Sequence, residues 1–139
     1  GGAATEPYDA DNGFSGGNTF STTSAIDTSG LANPAPEAVY QSERWGNFTY
    51  TFSGLQPDTE YLVRLHLAEI YLNASGMRIF DVTIHGTTIL QNYDIFAVAG
   101  GKNIAVVEEF TVLSDASGEI SISTQSSVNS AKLSGIEVK

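Results

Sequence analysis

Carboxylates are the first residues of this chain that could carry chemistry, because 16 of its 139 residues are Asp or Glu. A glycosidase needs two of them about 5–10 Å apart around a cleft. The candidates are Glu43, Glu69, Asp81, Asp94, Glu108 and Glu109. None belongs to an acid–base motif, and Glu43 and Glu69 are better explained as partners of Arg44, Arg64 or backbone amides. We therefore predict that the chain is not an enzyme.

The sequence also gives little support for a nucleophilic enzyme or for a zinc site. Of the two histidines, His66 lies between leucines on a predicted strand and His85 precedes a glycine in a predicted turn. Neither accompanies a G-x-S-x-G sequence, and the chain has 0 Cys, so a catalytic triad and a zinc site lack their residues.

Calcium is harder to exclude. The stretch "YDADNG" places Asp9, Asp11 and Asn12 close together, and these supply oxygen ligands. It lacks the glycine and the distal glutamate of an EF-hand loop, so a turn rich in Asp and Asn is the simpler interpretation. A structural calcium ion near Asp9 and Asp11 stays open.

Aromatic residues at the ends of predicted strands are the best candidates for binding. Phe20 ends a glycine-rich loop, Trp45 (the one Trp of the chain) starts a strand, and Tyr71 ends the stretch "LHLAEIY". Flat rings can stack on the C–H faces of sugars while amides bind the hydroxyls, and Asn73 and Asn129 are available. These rings could equally cover the ends of the core, and position alone does not decide.

Length and charge exclude several classes. A chain of 139 residues is expected to form a single domain, residues 1–139. Its net charge of -10 opposes binding to nucleic acid and to anionic membranes, which require clustered Lys and Arg. No run of 18 apolar residues is present, so no membrane-spanning helix is predicted.

The elements that must hold these residues are β-strands. Alternating apolar residues predict strands at 48–52, 60–71, 79–85, 104–113, 118–124 and 132–138, separated by turn residues. This pattern predicts an all-β fold, an antiparallel sandwich or jelly roll. Within "GLQPDTEY", Tyr61 follows a proline-containing loop, as in the corner of a fibronectin type III sandwich.

Residues 1–36 carry turn residues almost throughout. Five apolar side chains recur in this polar segment: Tyr8, Phe14, Phe20, Ile26 and Leu31. We therefore predict a long loop-rich N-terminal segment that is ordered over the core. Loops of this length are usually functional or mobile.

The sequence resembles malectin and the malectin-like carbohydrate-binding modules. The likeness is carried by "YQSER" followed by an aromatic residue, "LAEIY", "RIFDV" and "DIF" in this order, and it covers nearly the whole chain. The resemblance implies a jelly-roll β-sandwich that binds oligosaccharides in a loop-lined pocket without catalysis.

The resemblance also assigns site residues. It implies that Trp45 and Tyr71 stack on sugars and that Phe20 represents the aromatic of the N-terminal loop. The second aromatic that follows the tyrosine in malectin is Leu72 here, and the acidic residue before the last strand corresponds to Asn129. Ligand choice is therefore expected to differ from that of malectin.

Together these observations predict a non-catalytic module for a neutral, glucose- or other hexose-containing saccharide. By the resemblance, such a module is joined to a polysaccharide-degrading catalytic domain of a secreted or cell-surface protein. Asn47 and Asn73 begin N-glycosylation sequons, and a glycan on Asn73 would crowd the proposed site, so a bacterial source is favoured. The alternatives are a protein-interaction or spacer module without sugar binding, a small glycosidase, and an adhesive fibronectin-type sandwich. The polar lead-in of 36 residues is too long for the last.

Overall fold

A computed structural model describes residues 2–139, in which nine strands and two short helices follow one another. The strands are β1 (Phe14–Ser21), β2 (Ser42–Phe52), β3 (Glu60–Ala68), β4 (Ile79–Ile84), β5 (Thr87–Tyr93), β6 (Ala105–Leu113), β7 (Ile120–Val128), β8 (Lys132–Leu133) and β9 (Gly135–Val138). The helices are α1 (Glu37–Tyr40) and α2 (Ile95–Ala99). The β-rich content follows from the runs of β-branched and aromatic residues, which suit a pleated, half-buried surface.

The strands form two antiparallel sheets. The larger has the order β1-β2-β7-β4-β5, with β8 pairing to β2, and the smaller has the order β6-β3-β9. The main core contains Val63, Leu65 and Leu67 of β3 together with Phe80 and Val82 of β4, all 0% exposed. The predicted all-β antiparallel sandwich is confirmed.

The other face of β3 is covered by the N-terminal segment and α1. A second apolar cluster joins Ile26, Val39 and Tyr40 to Ala68 of β3 and to Ile70. The segment is thus ordered over the core, as predicted, but residues Phe14–Ser21 within it form the edge strand β1. The sequence hides this strand because Gly16 and Gly17 interrupt it with positive φ angles of 84° and 76°.

Two further local features bear on the predictions. The hydroxyl of Tyr61 accepts a hydrogen bond from the backbone N–H of Gln56 at 2.9 Å, which confirms the predicted sandwich corner. Strand β5 was not predicted, since "TTILQNY" lacks a regular alternation. Within residues 2–139, no helix has the length and hydrophobicity needed to cross a bilayer.

Candidate functional site

The candidate site lies where β1, β2 and the loop after β3 meet. Asn18 and Phe20 of β1 are the register partners of Trp45 and Glu43 of β2. Because directly paired residues of antiparallel strands share a face of the sheet, Phe20 and Trp45 are diagonal neighbours on one face. They are 38% and 37% exposed.

Tyr71 comes from the loop that follows β3 of the other sheet, and it touches Phe20. The two ring centroids are 5.4 Å apart with an interplanar angle of 86°, and Tyr71 is 59% exposed. Two of the aromatic residues predicted from sequence are therefore in direct contact, and the third lies across the strand pair from Phe20.

The turn that carries Tyr71 is fixed by the Glu69 carboxylate. Its Oε2 accepts hydrogen bonds from the backbone N–H groups of Tyr71 at 3.2 Å and Leu72 at 3.1 Å. Leu72 is buried while Tyr71 is exposed. The position at which malectin carries a second aromatic thus contributes to packing in this chain and offers no ring to a ligand.

Arg78 ties this turn to the segment that contains Asn129. Its Nε donates to Glu69 Oε1 at 2.7 Å, and its Nη1 donates to the carbonyl of Ser130 at 2.7 Å. Asn129 is exposed and has a φ of 57°. One buried guanidinium therefore holds Asn129 and Tyr71 on a common frame.

Lys132 completes a buried group of four charges with Glu43, Glu69 and Arg78. Lys132 is the register partner of Trp45, and its Nζ lies 3.2 Å from Glu43 Oε2 and 3.8 Å from Glu69 Oε2. All four residues are at most 6% exposed. Their two positive and two negative charges compensate each other beneath the aromatic rings.

Burial and ion pairing shift the pKa values of these groups in different directions. Burial raises the pKa of Glu43 despite the nearby positive charges of Lys132 and Arg78, and burial lowers the pKa of Lys132. Burial also acts to raise the pKa of Glu69, but the hydrogen bond from Arg78 and the charge of Lys132 outweigh it, and the pKa is lowered.

The ion-pair partners predicted for the two glutamates were wrong. Arg78 and Lys132 replace Arg44 and Arg64, because the start of β8 brings Lys132 beside Glu43 and the segment before β4 brings Arg78 beside Glu69. The predicted bonds of Glu69 to backbone amides are confirmed.

Arg44 instead holds the N-terminal segment. Its guanidinium donates to Asp11 from Nε at 3.1 Å and from Nη2 at 2.8 Å, donates to the Gly16 carbonyl at 2.9 Å, and lies 3.4 Å from the ring centroid of Phe14. The Tyr50 hydroxyl donates to the second oxygen of Asp11. Both carboxylate oxygens of Asp11 are thus engaged with protein donors.

The two residues predicted as calcium ligands have different surroundings in the structure. Asp9 is exposed, and Asp11 is used by Arg44 and Tyr50. In the part of the chain that the structure describes, residues 2–139, no group of three or more His, Cys, Asp or Glu side chains could hold a metal ion.

Asn73 is exposed and pairs with a residue that the sequence did not suggest. Lys102, in the loop between α2 and β6, donates from Nζ to Asn73 Oδ1 at 3.2 Å. The next residue, Asn103, donates its backbone N–H to the Glu69 carbonyl at 2.9 Å. No sequence pattern points to Lys102, which stands in the turn "AGGKN".

The remaining carboxylates have structural partners. Asp81 accepts from the Asn92 N–H, Asp94 from the Ala97 and Gly76 N–H groups, Glu108 from the Tyr93 hydroxyl, and Glu109 from Arg64. Asp94 is the N-cap of α2.

Two cavities lie beside the N-terminal segment. One, of about 530 Å³, is lined by parts of residues 2–12 and by residues 133–139, among others. The other, of about 500 Å³, is lined in part by Phe20, Thr22 and Gln41. Trp45, Tyr71 and Asn129 line neither cavity. The pocket predicted around the rings thus has only Phe20 in common with these cavities.

The fold and this arrangement define an antiparallel β-sandwich domain that presents exposed aromatic rings over a buried frame of charges. The model of the malectin domain family matches residues 2–136. The chain therefore belongs to the malectin domain family, as its sequence indicated, and the fibronectin-type alternative is wrong.

Three similar proteins come from plants and from an animal. The chain is 32% identical to the kinesin-like protein KIN-14E of Oryza sativa subsp. japonica, over 100% of this chain and 14% of that protein. It is 34% identical to the probable receptor-like protein kinase At1g30570 of Arabidopsis thaliana, over 75% and 14%, and 28% identical to Malectin-B of Xenopus laevis, over 74% and 37%. The chain thus spans a minor part of these relatives.

Solved structures share the fold. The ANX2 ectodomain from Arabidopsis thaliana superposes with a TM-score of 0.79 at 23% identity, over 88% of this chain and 39% of that one. A chain in the complex of the plant peptide RALF23 with FER and LLG2 gives a TM-score of 0.81 at 19% identity, over 94% and 41%. These two likenesses show the fold, and the plant and animal sources of the relatives do not support the predicted bacterial source.

Proposed function

We propose that this chain is a non-catalytic module that binds oligo- or polysaccharide on the face formed by Phe20, Trp45 and Tyr71. The observation that carries the proposal is the contact between the exposed rings of Phe20 and Tyr71, at 5.4 Å, beside a third exposed ring on the neighbouring strand. Single exposed apolar side chains are ordinary, whereas neighbouring exposed rings that form one patch mark an interaction site.

The chemistry of the face suits a neutral sugar. The rings offer flat apolar surfaces for C–H groups, and the exposed amides of Asn73 and Asn129 hydrogen-bond hydroxyls. The charges of Glu43, Glu69, Arg78 and Lys132 are buried and compensated, so they place no net charge under the ligand. Neutral hexose units, glucose among them, are the ligands that this face fits best.

Catalysis does not fit the carboxylates beneath the rings. Glu43 and Glu69 are 2% and 1% exposed, and both lie within 4 Å of the same lysine Nζ. A glycosidase pair must flank the scissile bond and exchange protons with it. We therefore assign these residues to the frame of the site, and we propose that the module directs an attached polysaccharide-degrading domain to its substrate in a secreted or cell-surface protein.

Calorimetric titration with glucose-, galactose- and mannose-based oligosaccharides tests the proposal. We expect wild type to bind one of these series with a dissociation constant of micromolar to millimolar order, since a few stacking contacts must offset the entropy of association. Trp45→Ala and Tyr71→Ala should each weaken binding at least several-fold. Leu113→Ala is the matched control, because Leu113 is 54% exposed on β6 and belongs to no part of the face.

A protein-interaction module is the second candidate. Trp45 and Tyr71 line neither of the two cavities, and an open apolar face suits a protein surface as well as a sugar. A fold relative occurs in a complex with a peptide and a second protein. Absence of binding across a broad glycan array, with a folded wild-type protein, would favour this candidate over the first.

A further inference from the structure

Lys102 differs from the other five cations of the chain. Among residues 2–139, each of the others forms an ion pair with a carboxylate: Arg44 with Asp11, Arg64 with Glu109 and Glu137, Arg78 with Glu69, Lys132 with Glu43, and Lys139 with Glu137. Lys102 is exposed, and its Nζ bonds to the amide oxygen of Asn73. Among residues 2–139, Lys102 is therefore the one Lys or Arg that has no carboxylate oxygen within 4 Å.

The position of Lys102 is set by the same frame that presents Tyr71. The backbone N–H of Asn103 bonds to the carbonyl of Glu69 at 2.9 Å, and Lys102 Nζ bonds to Asn73, two residues beyond Tyr71, at 3.2 Å. These two contacts hold the ammonium group beside the turn 70–73. The cation is therefore held at the turn that carries Tyr71, one of the three rings on which the proposed function rests.

The pair of Lys102 and Asn73 presents an excess of hydrogen-bond donors. An ammonium group has three donors and no acceptor, so the amide oxygen of Asn73 must face it. That bond uses one of the two lone pairs of the amide oxygen, and it leaves two N–H groups on Lys102 and the NH₂ of Asn73 for a ligand. Because four N–H groups stand against one remaining lone pair, this pair complements a group that only accepts better than a sugar hydroxyl, which both donates and accepts.

We propose that Lys102 is a specificity-determining residue that binds the carboxylate of a uronic acid unit in a saccharide held at Tyr71. The two oxygens of one carboxylate can accept from Lys102 Nζ and Asn73 Nδ2 together, and charge assistance strengthens such bonds. This inference rests on the proposed function and refines its ligand: neutral units lie over the rings, and a single acidic unit lies at the edge near Lys102.

The net charge of the protein limits how acidic the ligand can be. A polymer made only of uronic acids would bring many anions to a protein of charge -10, and its repulsion would oppose the single contact. At physiological ionic strength, charges more than about 8 Å away are largely screened. One acidic unit at Lys102 is therefore favoured, while a homopolymer is not.

A matched pair of disaccharides tests this assignment. Calorimetry is run with a glucosyl-glucose and with the same disaccharide whose terminal glucose is replaced by glucuronic acid, at low and at high NaCl concentration. We expect wild type to bind the acidic member about fivefold more tightly at low salt, which is the size expected for one exposed charged contact. In Lys102→Met the ratio of the two dissociation constants should fall to about one.

The controls separate this inference from the proposed function. Lys139→Met removes another exposed lysine, 61% accessible in its side chain and paired with Glu137, and it should keep the preference of wild type. Equal binding of both disaccharides by wild type, or a preference that persists in Lys102→Met, would overturn the role of Lys102. If those proteins bind the neutral disaccharide and Trp45→Ala does not, the proposed function stands regardless; if wild type binds neither sugar, both fail.

Discussion

The ring of Phe20 meets the ring of Tyr71 edge to face, with centroids 5.4 Å apart and planes at 86°. One residue comes from the edge strand of the larger sheet and the other from the loop that leaves the smaller sheet. Perpendicular rings form a corner, in which one ring can stack on a sugar face while the other contacts the edge of the same sugar. The contact also fixes each ring before a ligand arrives, which lowers the entropic cost of binding.

Removal of either ring should therefore weaken binding by more than its own contact with the ligand. In a double-mutant cycle of Phe20→Ala and Tyr71→Ala, we expect a coupling free energy of about 0.5–1.5 kcal/mol in saccharide affinity, which is typical of an aromatic pair. Calorimetry of the four proteins measures it. Losses that simply add would mean that the two rings bind independently.

The pairing of Lys132 with Glu43 should be essential for stability. Lys132 is 0% exposed and Glu43 is 2% exposed, so Lys132→Met leaves a buried carboxylate without its cation. We expect a loss of about 3–5 kcal/mol in the free energy of unfolding, measured by urea denaturation. The double variant Glu43→Gln/Lys132→Met should recover a large part of this loss, whereas Lys139→Met at the surface should change little. A double variant no more stable than Lys132→Met would show that the lost pairing is not the cause.

A side chain added at Gly17 should disturb the pairing of β1 with β2 and displace Trp45. Its φ is 76°, and a Cβ there would lie 3.0 Å from the Trp45 carbonyl and 3.0 Å from Arg44 Cγ. Gly54 has nearly the same φ, 74°, with nothing within 4 Å of the added carbon. Gly54→Ala therefore measures the backbone strain alone, about 1 kcal/mol.

We expect Gly17→Ala to destabilise the fold by about 1–3 kcal/mol more than Gly54→Ala, because strand β1 must shift away from β2. The same shift should weaken saccharide binding, while Gly54→Ala should bind as wild type does. Equal unfolding free energies of the two variants would refute the steric contribution.

His66 should make the fold sensitive to acid. It is 0% exposed, and its ring nitrogens contact the hydroxyl of Tyr40 at 2.8 Å, the hydroxyl of Tyr8 at 3.1 Å and a Glu137 oxygen at 3.0 Å. Burial lowers the pKa of His66 from 6.5 to about 4, assisted by the charges of Arg64 and Lys139. The carboxylate of Glu137 opposes this shift, but it is shared with those same two cations.

Because this pKa is lower in the folded chain than in the unfolded chain, the unfolded chain holds the proton more tightly at acidic pH. The stability contributed by neutral His66 is complete above pH 6.5 and is lost as the pH falls toward about 4, by roughly 2–3 kcal/mol. Urea denaturation between pH 7 and pH 4.5 should show the decline in wild type and in His85→Gln, and a weaker one in His66→Gln. A decline of equal size in His66→Gln would assign it to other groups.

The sequence was sufficient for the strands whose apolar residues alternate. Val63, Leu65 and Leu67 lie in the core as their period of two predicted. It was insufficient for β1, because glycines with positive φ break the alternation. On β3 it identified the two faces but not that both are buried, since the cover over Arg64 and His66 comes from α1 and the N-terminal segment.

In the candidate site, too, some residues could be predicted from the sequence and others could not. Phe20, Trp45 and Tyr71 were predicted from residue type and family likeness, and the register of β1 with β2 explains why the first two share a face. The partners Lys132 and Arg78 were missed because ion pairs between distant strands leave no local pattern. Lys102 was missed for a related reason: a lysine in a glycine-rich turn is ordinary until its neighbour in space is known.

The four buried, mutually compensated charges form a part of this domain that must be kept, whereas the exposed residues above them can vary. Glu69 and Arg78 bind backbone groups of the loops, and Lys132 pairs with Glu43 and Glu69, so the group holds the loops through contacts that do not involve the exposed side chains. Residues 20, 45, 71 and 129 can then diversify without loss of the scaffold, much as loops do on an antibody domain. Libraries randomised at these four positions, with the buried charges unchanged, offer a route to binders for sugars that the parent chain ignores.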